Sequence, residues 1–155
     1  MVSLVKISKP ELIKMISVAY EGDTELFDKY HVGKMGFMDC VFSTMDMIRD
    51  CAVERELRYY KVVYQKIGIG YVVEFDDFLY SYGINIKYRK KPILIAWWNA
   101  VRSIMGNNFM TMLYENNIRA IEHLKLQGFE VLIEDKENHS VTLVYNKNKN
   151  RLKVA

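Results

Sequence analysis

The chain is poor in the residues that break or cross-link a fold. Its 155 residues include two prolines, two cysteines, eight glycines and three histidines. So little proline and glycine leaves no stretch with linker composition, and neither a low-complexity block nor an internal repeat is present. The two cysteines, Cys40 and Cys51, are too few and too far apart for a zinc motif. In one predicted helix they share a face about 16 Å apart and cannot pair with each other there. They read as thiols of a reducing compartment. His31, His123 and His139 show no metal spacing, so no metal is expected. No apolar run reaches bilayer length, and Met1 to Val5 lacks the architecture of a signal peptide. A cytoplasmic protein without membrane contact is the expectation.

What is present is an ordinary globular composition. Half of the residues are hydrophobic and 26% are charged, with a formal net charge of +3. One domain over residues 1–146 is expected, followed by a basic tail over residues 147–155 that carries Lys147, Lys149, Arg151 and Lys153. A charge of +3 permits an acidic partner without demanding one. With no evident stacking platform for bases, nucleic acid is the least supported partner.

Local signals then order the elements. Val2 to Ile7 alternates as a first strand. Ser8, Pro10 and Glu11 mark a helix start, and its apolar face runs through Leu12, Ile16 and Ala19 to Tyr20. Asp23 or Thr24 opens a short helix to Tyr30. Phe37 to about Glu56 predicts a longer helix with Met38, Val41, Phe42, Met45, Ile48 and Ala52 on its core face. Leu57–Gln65, Ile69–Phe75 and Phe78–Asn85 read as an antiparallel meander, turning at Lys66 to Gly68 and at Asp76-Asp77. Phe129–Glu134 and Ser140–Tyr145 form a last hairpin around Asp135 to Asn138.

The stretch between these two groups organises the chain. It runs strand Phe78–Asn85, basic loop Ile86–Lys91, helix Pro92–Met105, strand Phe109–Tyr114 and helix Asn117–Gln127. A strand feeding a helix and returning to a strand is a βαβ-type unit, with neighbouring parallel strands. Asn116 or Asn117 caps the second helix and Gly128 ends it. Lys87, Arg89, Lys90 and Lys91 crowd at the first helix's N-terminus, where the helix dipole favours an anion. An anionic ligand relieves their repulsion, and so does plain solvation. Glu74, Asp76, Asp77, Glu115, His123, Tyr80, Tyr82 and Tyr114 are acid–base candidates, and no pair among them is defined by spacing. Ser81 and Cys40 have no neighbouring base, so nucleophilic catalysis is not supported.

Two segments resemble the GNAT family of N-acetyltransferases. One is Tyr82-Gly83-Ile84-Asn85-Ile86-Lys87-Tyr88-Arg89. The other runs from Leu113-Tyr114-Glu115-Asn116-Asn117-Ile118-Arg119-Ala120-Ile121 to Gly128-Phe129. The resemblance covers Ile69 to Asn146. It implies an α+β fold with a mixed, mostly antiparallel sheet, a central parallel βαβ unit and helices on both faces. It also implies an acyl-CoA-dependent N-acyltransferase with an amine substrate. Acetyl-CoA would lie between the strands Phe78–Asn85 and Phe109–Tyr114. Tyr82, Ile84, Arg89, Lys90, Lys91, Ile93, Asn116 and Asn117 would hold it, and Glu74 would serve as a base through water. Two departures stand out. Pro92 and Leu94 occupy places where the family's phosphate loop has small residues, and Leu124 stands where a tyrosine often acts as general acid. The chain is also similar to acetyltransferase-like proteins of bacteriophages. That likeness implies an alternative: a non-catalytic binding or structural part, with virion proteins as partners.

Overall fold

The computed structural model describes residues 1–23 and 36–146. The short helix expected from Asp23 or Thr24 to Tyr30 and the basic tail lie outside the described residues. The elements are β1 (Val2–Lys6), α1 (Lys9–Tyr20), α2 (Phe37–Ala52), β2 (Arg58–Tyr64), β3 (Ile67–Phe75), β4 (Phe78–Ile84), α3 (Lys91–Met105), β5 (Asn108–Tyr114), α4 (Ile118–Leu126), β6 (Phe129–Asp135) and β7 (Ser140–Asn146). A 3₁₀ turn, Ile86–Tyr88, lies between β4 and α3.

Seven strands form one sheet in the order β1-β2-β3-β4-β5-β7-β6. Every neighbouring pair is antiparallel except β4 and β5, which are parallel and joined through α3. This is the expected α+β architecture. The turns follow from local chemistry. Gln65 and Lys66 both take positive φ in the β2–β3 turn, as a tight hairpin requires, and Asp76 does so between β3 and β4. Gly128 closes α4 at φ 102°, a left-handed value that glycine adopts without a Cβ penalty.

The core lies on both faces of the sheet. One cluster joins α3 and α4 to the sheet through Trp97, Trp98, Val101, Ile121 and Leu124, with Val62, Val72, Leu79, Phe109 and Leu143 beneath them. The other joins α1 and α2 through Leu12, Ile16, Ala19, Val41 and Ile48 to Tyr71 and Val73. The helix α2 ends at Ala52, short of Glu56, and its buried face is Cys40, Val41, Thr44 and Ile48. Met38 and Phe42, expected in the core, are 53% and 55% exposed. The stripe counted from sequence was too wide, and the sheet accepts only the part centred on Val41 and Ile48. The cap expected at α1 is also simpler than predicted: Ser8 takes the N-cap position, but its side chain makes no capping bond.

Candidate functional site

The strands β4 and β5 pair at two positions only, Phe78↔Met110 and Leu79↔Thr111. Both then run on, β4 to Ile84 and β5 to Tyr114, without further pairing. The cause is partly visible on the other edge of β4. There Val73 pairs with Ser81 while Glu74 pairs with Leu79, which leaves Tyr80 as an extra residue. Such a bulge bends its strand and sharpens the twist, here at the point where β4 leaves β5.

Main-chain groups freed by the parting need other partners. Asn85 N–H donates to Ile69 C=O on β3 at 2.8 Å. By the alternation of an antiparallel ladder, Tyr82 and Ile84 then turn their main-chain groups away from β3, toward β5. Side chains reach main-chain oxygens at the two ends of this opening, the first of them at the last paired position. Leu79 C=O accepts from Thr111 Oγ1 at 2.9 Å, and Ile84 C=O accepts from Arg89 Nε at 2.8 Å. Between those ends lie the Tyr82 N–H and C=O and the Ile84 N–H.

Aromatic rings back the opening on the α3/α4 face. The Tyr82 ring lies 5.3 Å from Trp97 and 6.1 Å from Trp98, centroid to centroid. Burial pushes the Tyr82 phenol well up, opposed in part by the neighbouring Thr111 hydroxyl. Trp98 Nε1 donates to His123 Nε2 at 3.1 Å and so ties α3 to α4. Trp97 Nε1 is buried and has no hydrogen-bond partner among the described residues. On the α1/α2 face both lips of the opening reach one residue. Tyr80 Oη donates to Met47 C=O at 3.2 Å, and Tyr114 Oη lies 3.7 Å from Met47 Sδ. Burial, with Cys51 alongside, pushes the Tyr80 phenol up to about 12. Deeper on that face Tyr71 Oη sits 2.8 Å from both Tyr20 Oη and Ser81 Oγ, forming a chain of hydroxyls under the end of α1. Burial raises both tyrosines, so they are neutral near pH 7.

The mouth of the opening is the loop between β4 and α3. Asn85 Nδ2 donates to Val18 C=O and Glu21 C=O, which fastens the loop to the end of α1. Arg89 reaches Asp23 Oδ2 at 2.7 Å, and that carboxylate is 4% exposed. Arg89 is therefore engaged twice within the protein. Lys90 and Lys91 are exposed at the start of α3, with Lys90 as N-cap and no capping side chain. In that first turn Pro92 has no N–H to offer, while Lys91 and Ile93 each keep one. Asn117 is the N-cap of α4, next to Asn116 at the end of β5.

Glu74 lies elsewhere. Its pairing partner on β4 is Leu79, at the closed end of the opening. The carboxylate is 5% exposed and takes both Nε and Nη2 of Arg58, with Tyr60 Oη at 3.4 Å. Among the described residues no group of three or more His, Cys, Asp or Glu is placed to hold a metal ion. Nor is any helix there long and apolar enough to cross a membrane.

The structure thus brings Tyr82, Ile84, Arg89, Lys90, Lys91 and Ile93 together along one side of the opening. Asn116 and Asn117 stand on the β5 side, and Glu74 stands apart. Sequence reasoning missed the Tyr80 bulge, Thr111, Met47 and Asp23. Thr111 carries one usable mark: it is the only non-aromatic polar residue between Phe109 and Tyr114.

No family model matches the chain, and no curated protein matches it in sequence. Solved structures do match its fold. An acetyltransferase from Thermus thermophilus superposes with a TM-score of 0.65 at 15% identity, over 93% of this chain and 96% of that one. The aminoglycoside acetyltransferase AAC(6')-Ib, in complex with paromomycin and acetyl-CoA, gives 0.65 at 13% identity over 99% and 98%. The PaiA N-acetyltransferase from Thermoplasma acidophilum, with coenzyme A, gives 0.62 at 12% over 94% and 99%. The chain has the fold of the GNAT N-acetyltransferases along nearly its whole length.

Proposed function

We propose that the protein is an acyl-CoA-dependent N-acyltransferase that uses acetyl-CoA and an amine acceptor. The observation that carries this reading is the opening itself. Two parallel neighbours pair at two positions and then part, with main-chain donors and an acceptor turned into the space between them. That arrangement has no structural purpose in a sheet, where each unpaired group carries a cost.

The residues present fit the cofactor in two respects. The Tyr82 N–H and C=O and the Ile84 N–H present the edge of a strand, which amides of an extended arm can join. The uncapped first turn of α3 offers N–H groups of Lys91 and Ile93 to an anion, and the Lys90 and Lys91 ammonium groups add charge for a diphosphate. Pro92 removes one donor from that turn, so charge replaces part of the usual amide cradle. Asn116 and Asn117 would flank the arm from the β5 side. Acetyl-CoA, when bound, supplies an acyl group activated as a thioester. This chain's part is to hold that group in the opening, to exclude water with Tyr82 and Trp97 behind it, and to admit the amine from the α1/α2 side beside Tyr80 and Tyr114. Glu74 would act as base only through water and only with the Arg58 pair loosened.

Isothermal titration with acetyl-CoA tests the reading, followed by thiol release in the presence of simple amines. Absence of heat at millimolar ligand would refute it. The loop favours a second reading, a non-catalytic GNAT-fold binding or structural part, such as a component of a bacteriophage particle. What favours it is Pro92 in the phosphate turn and Arg89 already held by Asp23. A folded chain that neither binds acetyl-CoA nor releases thiol to any amine would support that alternative.

A further inference from the structure

The register of the last three strands decides which side chains share a face. Met112 pairs with Thr142, and Thr142 pairs in turn with Ile133. Residues directly opposite in a ladder lie on one face, as do residues two apart along a strand. Tyr114 reaches Met47 of α2, so Met112, Thr142 and Ile133 belong to the α1/α2 face. Leu132 joins them. It is the extra residue where the β6–β7 register shifts, and its flanking neighbours Val131 and Glu134 line a groove against α4 on the opposite face. A regular strand would send one of Leu132 and Ile133 toward α4, whereas the bulge turns both away from it. Met112, Leu132 and Ile133 are 38%, 55% and 56% exposed. They form an apolar platform beside the β5 lip of the opening.

We propose that this platform carries the body of the acceptor, and that the acceptor is a primary amine on an alkyl or aryl body, not a polycation. The proposal rests on the acetyl-CoA reading above and names the substrate class of that site. An amine that attacks from the α1/α2 side must extend away from the lips Tyr80 and Tyr114. Toward β3 the way is closed by α1, which lies so near β4 that a Cβ at Gly83 would meet Ala19 Cβ and Tyr71 Cε1 at 3.3 Å. Toward β7 and β6 the ground is Met112, then Leu132 and Ile133 about 10 Å further at ordinary strand spacing. Methionine adapts its shape to an apolar guest. The carboxylates that β5, β7 and β6 turn to this face are Glu130, in the row of Met110, and Asp135, in the row of Tyr114. Both stand on the outer strand, and Asp135 is engaged by Asn138. A polycation crossing the platform would leave water over apolar ground, while an apolar body gains from the same area.

Thiol release from acetyl-CoA with n-alkylamines from propylamine to octylamine tests this on the intact chain, with spermidine as a polycation of similar length. The value of kcat/KM should rise about two- to fourfold per methylene, the range for part to full burial of a CH₂. Octylamine should exceed spermidine by about tenfold or more. In Leu132→Ser and in Ile133→Ser, at exposed positions that folding does not depend on, the octylamine-to-propylamine ratio should fall about tenfold. A flat series, a preference for spermidine, or an unchanged ratio in both variants overturns the proposal. So does a dimer in sedimentation that these substitutions dissolve, since a second copy would then cover the platform. Absence of heat with acetyl-CoA, or heat without thiol release to any amine, refutes the functional reading and this proposal with it. Normal heat and thiol release with a flat series refutes the acceptor assignment alone.

Discussion

Glu74→Gln separates a catalytic carboxylate from a structural one. In the structure Glu74 is 5% exposed on its side chain and is gripped by the Arg58 fork, whose own side chain is 43% exposed. Breaking a fully buried pair by neutralising one member costs about 3–5 kcal/mol, whereas an exposed pair is worth about 0–1 kcal/mol. Arg58 can turn its guanidinium partly to water, so the expected loss lies between these limits, about 2 kcal/mol. Glutamine keeps the shape and one acceptor oxygen, which holds the figure down. For a chain of this size each kcal/mol moves the melting temperature by roughly 2–4 °C, so the midpoint should fall by about 4–8 °C. Urea denaturation read by circular dichroism should show a lower midpoint with unchanged slope. Binding of acetyl-CoA should stay as in the wild type, because Glu74 lies at the closed end of the opening. An unchanged midpoint together with a loss of acyl transfer of about a hundredfold, the range of a general base, would refute the structural assignment and restore Glu74 as the base.

Three further changes probe the same region. Asp23→Asn frees Arg89 and removes one negative charge from the mouth, so it should cost about 2 kcal/mol of stability yet tighten acetyl-CoA binding several-fold by titration calorimetry; weaker binding would mean that the pair shapes the loop. Gly70→Ala places a Cβ 2.0 Å from the Gly83 carbonyl oxygen on β4, so the two strands must shift apart and thermal melting should show a loss of about 3 kcal/mol. Burial lowers the His123 pKa, and its Nε2 accepts from Trp98 only when unprotonated. The resulting stability is therefore complete above the ordinary value near 6.5 and is lost as pH falls through the lowered folded value. Denaturation midpoints from pH 7.5 to about 5 in wild type and His123→Gln check the sign, since only the wild type should show this loss.

The order of elements was legible because each boundary carries its own chemistry. Asp76-Asp77 and Gly128 are turn or stop signals that act over three or four residues, and the structure places a turn or helix end at each; the first hairpin turns at Gln65 and Lys66 instead of Lys66 to Gly68, since Ile67 and Gly68 already pair within β3. The face of α2 was less legible. Hydrophobic spacing weighs Met38 and Phe42 like Val41, but only the underlying sheet decides which of them it can cover. The βαβ order that frames the opening was readable, since it is local. Its working parts were not. How far two parallel strands stay paired depends on a bulge set by the opposite neighbour, which is non-local.

The same limit applies to charge. Lys87, Arg89, Lys90 and Lys91 look equivalent in sequence, yet one of them is neutralised by Asp23, a residue that follows a different helix. The repulsion expected within the loop is thus partly relieved before any ligand arrives. An anion at the mouth must either rely on Lys90 and Lys91 or compete with Asp23 for Arg89. Competition of that kind links the loop to the end of α1, which Asn85 already fastens through Val18 and Glu21. Acetyl-CoA and the amine would then meet elements that are mechanically joined, so filling the mouth would alter the side from which the acceptor enters.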